Sequence, residues 1–306
     1  MRIFHLGLCV GPPPFDSMRK AFIANSDDYI ELSTGAKDVN QEAVRIAREF
    51  KPDIIFMQIQ CANIISIETV KAMRETGAWV CNWNGDIRHH TPQWMIEMAF
   101  HVDKTLFSNG RDLKNVVRGG YLEIGYDPEI YNPVGQVGTC KEISFFGNNY
   151  GAGHFPLSSL RIEMNTMLQK YFGGMYGVYG NNWPNVSGNY NHSQAEEAKA
   201  YRATKIAINL SHFDEDSYTS DRMYRILGTG VFCLCKAYPN MPFIDNVHVR
   251  TWNTLPELLN LINYYLDPNN KAERDQIGKQ GHDFVKENYT FDEMVKNLIY
   301  IYEQKN

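Results

Sequence analysis

The chain predicts two doubly wound α/β domains in tandem, followed by a helical tail. Three observations carry this. Short apolar runs alternate with segments of helical spacing through the first half. The same alternation restarts after a Gly- and Pro-rich stretch, "GYDPEIYNPVGQVGTC". From Thr254 onward the apolar residues recur at helical period to the end of the chain.

The elements follow in order. "RIFHLGLCV", "PDIIFMQIQ", "AWVCNW" and "KTLFSN" are strand-length runs, and "QEAVRIAREF", "ETVKAMRET" and "PQWMIEMAF" carry helical spacing. Strands that alternate with helices in this way imply a parallel sheet covered on both faces. Past the linker at 120–140 come strands "EISFFG", "MYGVYG", "KIAINLS" and "VFCLC". Between them lie helices "LSSLRIEMNTMLQKYF", "SQAEEAKAYRA" and "SDRMYRILG". The tail breaks at "DPNN" and near "NYTF". The expected boundaries are 1–135, 136–288 and a final helix at 289–306 that packs back toward the first domain. Two such sheets place the C-terminal ends of their strands around a cleft, where ligands of doubly wound sheets bind.

Composition narrows the function classes. The 306 residues suit two domains of roughly 150 residues each. Hydrophobic content of 43% and charged content of 21% are those of a globular protein. No apolar run approaches the roughly 18 residues of a spanning helix. Met1 leads straight into the first strand, so a cytoplasmic location without a signal peptide is expected. A net charge of −5 argues against a generally cationic surface, although a local basic cleft is hidden in such a sum. Cys233 and Cys235 lack zinc-type partners, and the "DED" at 214–216 suits a solvated loop, so no metal and no resident cofactor are expected. The loop after the first strand, "HLGLCVGPPPFDSMRKAF", is not GxGxxG, which disfavours a dinucleotide enzyme.

Within "YTSDRMYRILGTGVFCLC", a helix capped by Thr219 or Ser220 aligns Met223, Ile226, Leu227 and Gly230 on one stripe. Asp221, Arg222 and Arg225 fall on another face near the helix N-terminus, where free N–H groups and the dipole favour an anion such as a diphosphate. The same spacing equally suits a solvated face with an Asp221–Arg225 pair.

This stretch, with "KIAINLSHFDED" before it and "FIDNVHVRTWNTLPELLNLINYYL" and "IGKQGHDFVKENYTF" after it, resembles the C-terminal half of group-1 glycosyltransferases. It is most similar to their spore-maturation CgeB-like and phage-borne branch. The resemblance covers roughly residues 141–295 and implies a GT-B fold of two Rossmann-like domains. It further implies a nucleoside diphosphate sugar, held mainly by the second domain, as co-substrate. Arg222 matches the family's arginine. Arg225 and Ser217 stand where glutamates are usual, which leaves Asp221 as the substitute ribose contact. The resemblance also places the loop of Gly147, Asn148 and Asn149, and Arg161 on the helix after it, beside the donor. Gly180, Asn181 and Trp183 end the next strand in a turn that suits either a nucleobase or a packed tryptophan.

In the first domain "CNWNGDIRHH" carries the catalytic candidate. Asp86, at the C-terminal end of a strand, suits a general base that takes the acceptor hydroxyl proton, and equally an N-cap or turn residue. The "W.GD.R" pattern here also resembles the CgeB-like enzymes. Gly11, Trp83, Arg88 and His89 are the acceptor-side candidates. The expected activity is transfer of a hexosyl or pentosyl group to a hydroxyl of a glycan or of a hydroxymethylated pyrimidine in DNA. A non-catalytic nucleotide-sugar binding module is the alternative.

Overall fold

The computed structural model describes residues 1–8, 16–188 and 193–304, so Gly11 lies outside the described residues. The chain divides into two compact units, Met1–Gly125 with Phe291–Asn306, and Tyr126–Thr290.

The first unit opens with β1 (Arg2–Gly7), α1 (Asp16–Ala24), β2 (Asp28–Ser33), α2 (Val39–Phe50), β3 (Ile54–Met57) and α3 (Ile67–Arg74). It continues through β4 (Trp79–Asn84), α4 (Gln93–Ala99), β5 (Lys104–Phe107), the single turn α5 (Gly110–Leu113) and β6 (Gly119–Tyr121). The second unit runs β7 (Ile143–Phe146), α6 (Ser158–Phe172), β8 (Tyr176–Tyr179), α7 (Gln194–Ala203), β9 (Ile206–Asn209) and α8 (Asp221–Gly228). It ends with β10 (Phe232–Lys236), β11 (Arg250–Trp252), α9 (Leu255–Leu266) and α10 (Lys271–Asn288). The last helix, α11 (Phe291–Glu303), belongs to the first unit, where it packs against α1.

Every strand pair is parallel. The first sheet has the order β2-β1-β3-β4-β5-β6 and the second β11-β10-β9-β7-β8. Side chains alternate between two cores in the first unit. Phe4, Leu6, Ile55, Met57 and Val80 pack with Ala43, Ile46 and Val70 from α2 and α3. Ile3, Ile54, Phe56, Cys81 and Trp83 pack with Phe22 of α1 and Leu298 of α11. This two-sided burial explains why β3 and β4 read as continuous apolar runs rather than as alternation. In the second unit Ile143, Phe145, Ile206, Ile208 and Leu234 bury one sheet face under Met164, Leu168, Leu258 and Ile262.

Three strands escape the sequence pattern. β2 ("DYIELS") is an edge strand with half-buried residues, β6 contains two glycines, and β11 is three residues long. The division between the units falls at Gly125 rather than at 135. Tyr126 N–H donates to Tyr289 O at 3.0 Å, and Tyr126 bridges Thr290. Arg202 of α7 then holds the carbonyls of Asn132 and Gln136, each at 2.9 Å. The Gly/Pro-rich stretch is therefore docked on the second unit by hydrogen bonds that composition does not reveal.

His5 is a buried titratable group of the first sheet. Its Nε2 meets Gln58 Oε1 at 2.7 Å and its Nδ1 meets Tyr29 Oη at 3.0 Å. Burial lowers its pKa from 6.5 to about 4. Between those values the unfolded chain binds the proton and the folded chain does not, so stability is full above pH 6.5 and falls as pH drops toward 4. The expected loss is about 3 kcal/mol. In urea melts between pH 7 and 4.5, His5→Gln should lose less stability than the parent by about 2 kcal/mol; equal losses in the two proteins would rule out this role.

Candidate functional site

The order β9-β7-β8 fixes where a ligand can approach the second unit. The chain leaves β7 toward β8 on one side, then returns past β7 to β9 on the other, which makes the β7/β9 boundary a topological switch point. At the C-terminal ends of these two strands lie Gly147–Asn149 and Leu210–His212. The helices that follow each strand supply one arginine apiece. Arg161 is in the first turn of α6 and Arg222 is the second residue of α8.

The two guanidiniums meet beside Gly147. A Cβ on this glycine would stand 2.4 Å from Arg161 Nη2 and 3.1 Å from Arg222 Nη2. Its φ of +155° adds a backbone reason for glycine. Both cations lie over the Phe145 ring, with Cζ 5.0 Å and 5.6 Å from its centroid. Arg161 is 1% exposed, and its Nε and Nη2 have no hydrogen-bond partner. Its Nη1 donates to His212 Nε2. Arg222 Nη1 reaches Leu210 O and Asn209 Oδ1 only at 3.4 and 3.5 Å. Among the described residues neither arginine has a carboxylate partner. Burial first, and then the Arg222 charge, push the Arg161 pKa down. A buried cation without a counter-charge is costly, and the unsatisfied donors here are those that an oxyanion accepts from.

The neighbouring loops are laced together. Gly147 N donates to Tyr179 O at 2.7 Å, and Gly147 O accepts from Trp183 Nε1 at 2.6 Å. Asn148 Oδ1 accepts from Asn181 N at 2.8 Å, and Asn149 N donates to Asn181 O at 3.0 Å. Gly180 is required because a Cβ there would stand 2.4 Å from Gly147 O. The structure thus gathers Gly147, Asn148, Asn149, Arg161, Gly180, Asn181, Trp183 and Arg222 around one strand edge. Trp183 serves as packing: it is buried, its one donor is used, and its ring meets Phe145 edge-on at 6.2 Å.

Asp221 and Arg225 form a different cluster. Arg225 donates to Asp221 Oδ2 at 2.5 Å and lies 3.4 Å from Glu197 Oε2, over the Tyr131 ring. Tyr131 and Tyr201 also donate to Glu197, at 2.5 and 3.2 Å. Burial works against the charge on Arg225, but Asp221 and Glu197 outweigh it and raise its pKa. Asp221 Oδ1 accepts from Arg222 N at 2.8 Å, which caps the first turn, while the Ser220 hydroxyl makes no cap bond. His212, Glu197, Asn209 and Tyr131 escape sequence reasoning. For His212 the available signal is its position just past the end of β9.

In the first unit, Asp86 lies just past β4 and is exposed. Arg88 donates to Gln60 O and Oε1 at 2.8 and 2.9 Å, and its Nη1 contacts Asp86 O at 3.3 Å. His89 is exposed, and its carbonyl accepts from Arg111 at 3.3 Å. Trp83 is 3% exposed and donates to Leu122 O at 2.8 Å, so it belongs to the core beneath this loop. Asn84 is fully buried, with no hydrogen-bond partner on either side-chain atom. Among the described residues no three His, Cys, Asp or Glu side chains gather as metal ligands. No helix among them is long and apolar enough to cross a membrane.

A family model described as "Glycosyl transferase-like" matches residues 164–300. No curated protein sequence matches the chain. Among solved structures, a glycosyltransferase from Rickettsia africae is 11% identical with a TM-score of 0.67, covering 99% of this chain and 98% of that one. Anabaena Alr3699/HepE, solved in complex with UDP and glucose, is 10% identical with a TM-score of 0.66, over 98% and 99% of the two chains. Sucrose-phosphate synthase from Thermosynechococcus elongatus is 10% identical with a TM-score of 0.58, over 99% and 98%. These likenesses show the fold, two Rossmann-like α/β domains of the GT-B class.

The arginine pair makes Gly147→Ala a direct test. The added methyl displaces Arg161 and strains a positive φ, at a cost of about 1–3 kcal/mol. Isothermal titration should show inorganic pyrophosphate binding at least roughly tenfold more weakly than to the parent; unchanged affinity would contradict convergence of the guanidiniums at this point.

Proposed function

We propose that the protein is a glycosyltransferase that moves a sugar from a nucleoside diphosphate sugar to a hydroxyl acceptor. The observation that carries this reading is the meeting of Arg161 and Arg222 beside Gly147, at the switch point of the second sheet, with no carboxylate in ion-pair contact among the described residues. As the bond from the sugar to the diphosphate breaks, negative charge grows on the leaving oxygens. Guanidiniums already fixed in place stabilise that charge without reorganising. Arg222 is assigned the main contact and Arg161 the buried one. The matched family model and a neighbour solved with UDP-glucose support a nucleotide-sugar donor. No resident cofactor or metal is required in this scheme.

Asp86 is assigned as the base that takes the acceptor proton if the reaction inverts. Arg88 and His89 are assigned to the acceptor side, along with Gly11. A glycan hydroxyl and a hydroxymethylated pyrimidine in DNA are both proposed acceptors, the second from the resemblance to the CgeB-like and phage-borne branch. The proposed setting is the cytoplasm. Arg225, held by Asp221 and Glu197, acts here as a buttress of α8 rather than as a phosphate ligand.

A thermal-shift screen of nucleoside diphosphates should raise the melting temperature, because a ligand of the native state stabilises it by mass action. Arg222→Ala removes about two charge-assisted hydrogen bonds, about 3 kcal/mol, or roughly a hundredfold in Kd for UDP, with the melting temperature of the free protein little changed. Equal UDP affinity in parent and variant would defeat the diphosphate assignment. Asp86→Asn should lower transfer by roughly a hundredfold or more at unchanged donor affinity. Slow donor hydrolysis by the parent separates an enzyme from a binding module, which shows none.

A further inference from the structure

Arg161 and Arg225 are held in opposite ways. Arg225 has two carboxylates, Asp221 and Glu197. Arg161, the more buried cation, has a single side-chain acceptor, His212. A guanidinium only donates, so His212 Nε2 must carry the lone pair and Nδ1 the proton. The ring packs against Phe155 and Tyr150, with centroids 4.6 Å and 5.1 Å away. The charged and titratable groups facing it are Arg161 from α6, Arg222 from α8, and His154 and Tyr150 from the loop after β7. Burial first, then Arg161, Arg222 and His154, lower its pKa to about 3, so the ring is neutral at any working pH.

Neutrality is what makes this acceptor distinctive. A carboxylate at 212 would orient Arg161 equally well, but it would cancel one of the two positive charges and compete with an incoming phosphate for the same N–H groups. An imidazole lone pair fixes the guanidinium and leaves its charge intact. Arg161 Nε and Nη2 are left as donors without a partner.

We propose that His212 is a positioning residue of the anion site, a neutral acceptor that orients Arg161 toward a diphosphate without neutralising it. This rests on the reading of the arginine pair as the diphosphate site. Gln at 212 places Oε1 near the position of Nε2 and preserves the neutral acceptor, whereas Glu places a charge there.

The test measures binding of inorganic pyrophosphate, UDP and uridine to the parent, His212→Gln and His212→Glu. His212→Gln should stay within roughly threefold of the parent for all three probes. His212→Glu should lose roughly a hundredfold for pyrophosphate and UDP while uridine binding is unchanged, a charge-selective loss that damaged packing does not produce. If His212→Glu binds pyrophosphate as the parent does, or His212→Gln is as weak as His212→Glu, the proposal is overturned and the diphosphate reading survives. If the parent itself binds neither pyrophosphate nor UDP, the diphosphate reading falls and the proposal with it. An independent check on the parent is ¹⁵N imidazole NMR. The His212 signals, identified by their loss in His212→Gln, should show the Nδ1–H tautomer and should not titrate between pH 5 and 8; an Nε2–H tautomer of His212, or its titration near 6.5, would overturn the assignment.

Discussion

Two positive charges cannot rest side by side in a protein interior unless something fixes each of them, and around Gly147 three features do so at once. The Phe145 ring lies beneath both guanidiniums, the His212 lone pair holds Arg161, and the missing Cβ leaves the space in which the two meet. None of the three is an anion. The three supports therefore hold the guanidiniums without adding a negative charge, as the proposed diphosphate site requires. Trp183, Asn181 and Tyr179 hydrogen-bond to the Gly147–Asn149 turn and hold it beside the arginines.

Topology explains why these residues meet. Parallel strands share one C-terminal edge, and the reversal of direction at β7 parts the connections there, so the residues after β7 and β9 face each other without a crossover between them. The helices that follow begin at the same edge, and each contributes an arginine from its first turn. One turn farther along α8 the environment changes completely. Glu197 and Asp221 surround Arg225, and Tyr131 and Tyr201 close over Glu197. Two arginines three residues apart on one helix thus do different work, one facing the strand edge and the other tying α7 to α8.

The first unit has the same architecture of a parallel sheet between helices. Trp83 anchors the strand beneath the Gly85–Asp86 turn, and Arg88 is bound to Gln60 of the loop after β3. Asp86 is the exposed carboxylate of that turn. The buried carboxamide of Asn84, without a partner on either atom, marks the same strand end as a polar site within an apolar core.

Much of this was open to reading in one dimension. Short, largely apolar runs such as "IIFM" and "WVCNW", alternating with helical segments, suit strands buried on both faces, with helices on both sides and hence parallel sheets. Glycines at strand ends and arginines in the first turns of the next helices mark the ligand edge, because both arise from local geometry. Edge strands such as "DYIELS" were not legible, since half-exposed residues carry no strong period. The pairing of charges was not legible either. Spacing alone leaves Arg222 and Arg225 equivalent, and nothing local tells a loop histidine that fixes a buried arginine from one in water. Those distinctions depend on residues far apart in the chain, His212 against Arg161 and Glu197 against Arg225, and hydrogen bonds over such separations exist only once the sheet has ordered its strands. By itself the sequence determined the alternation of strands and helices and the strand ends at which the candidate residues sit. The tertiary structure alone decided which cations stay unpaired there, because neutralisation depends on distances in space that local sequence spacing does not set.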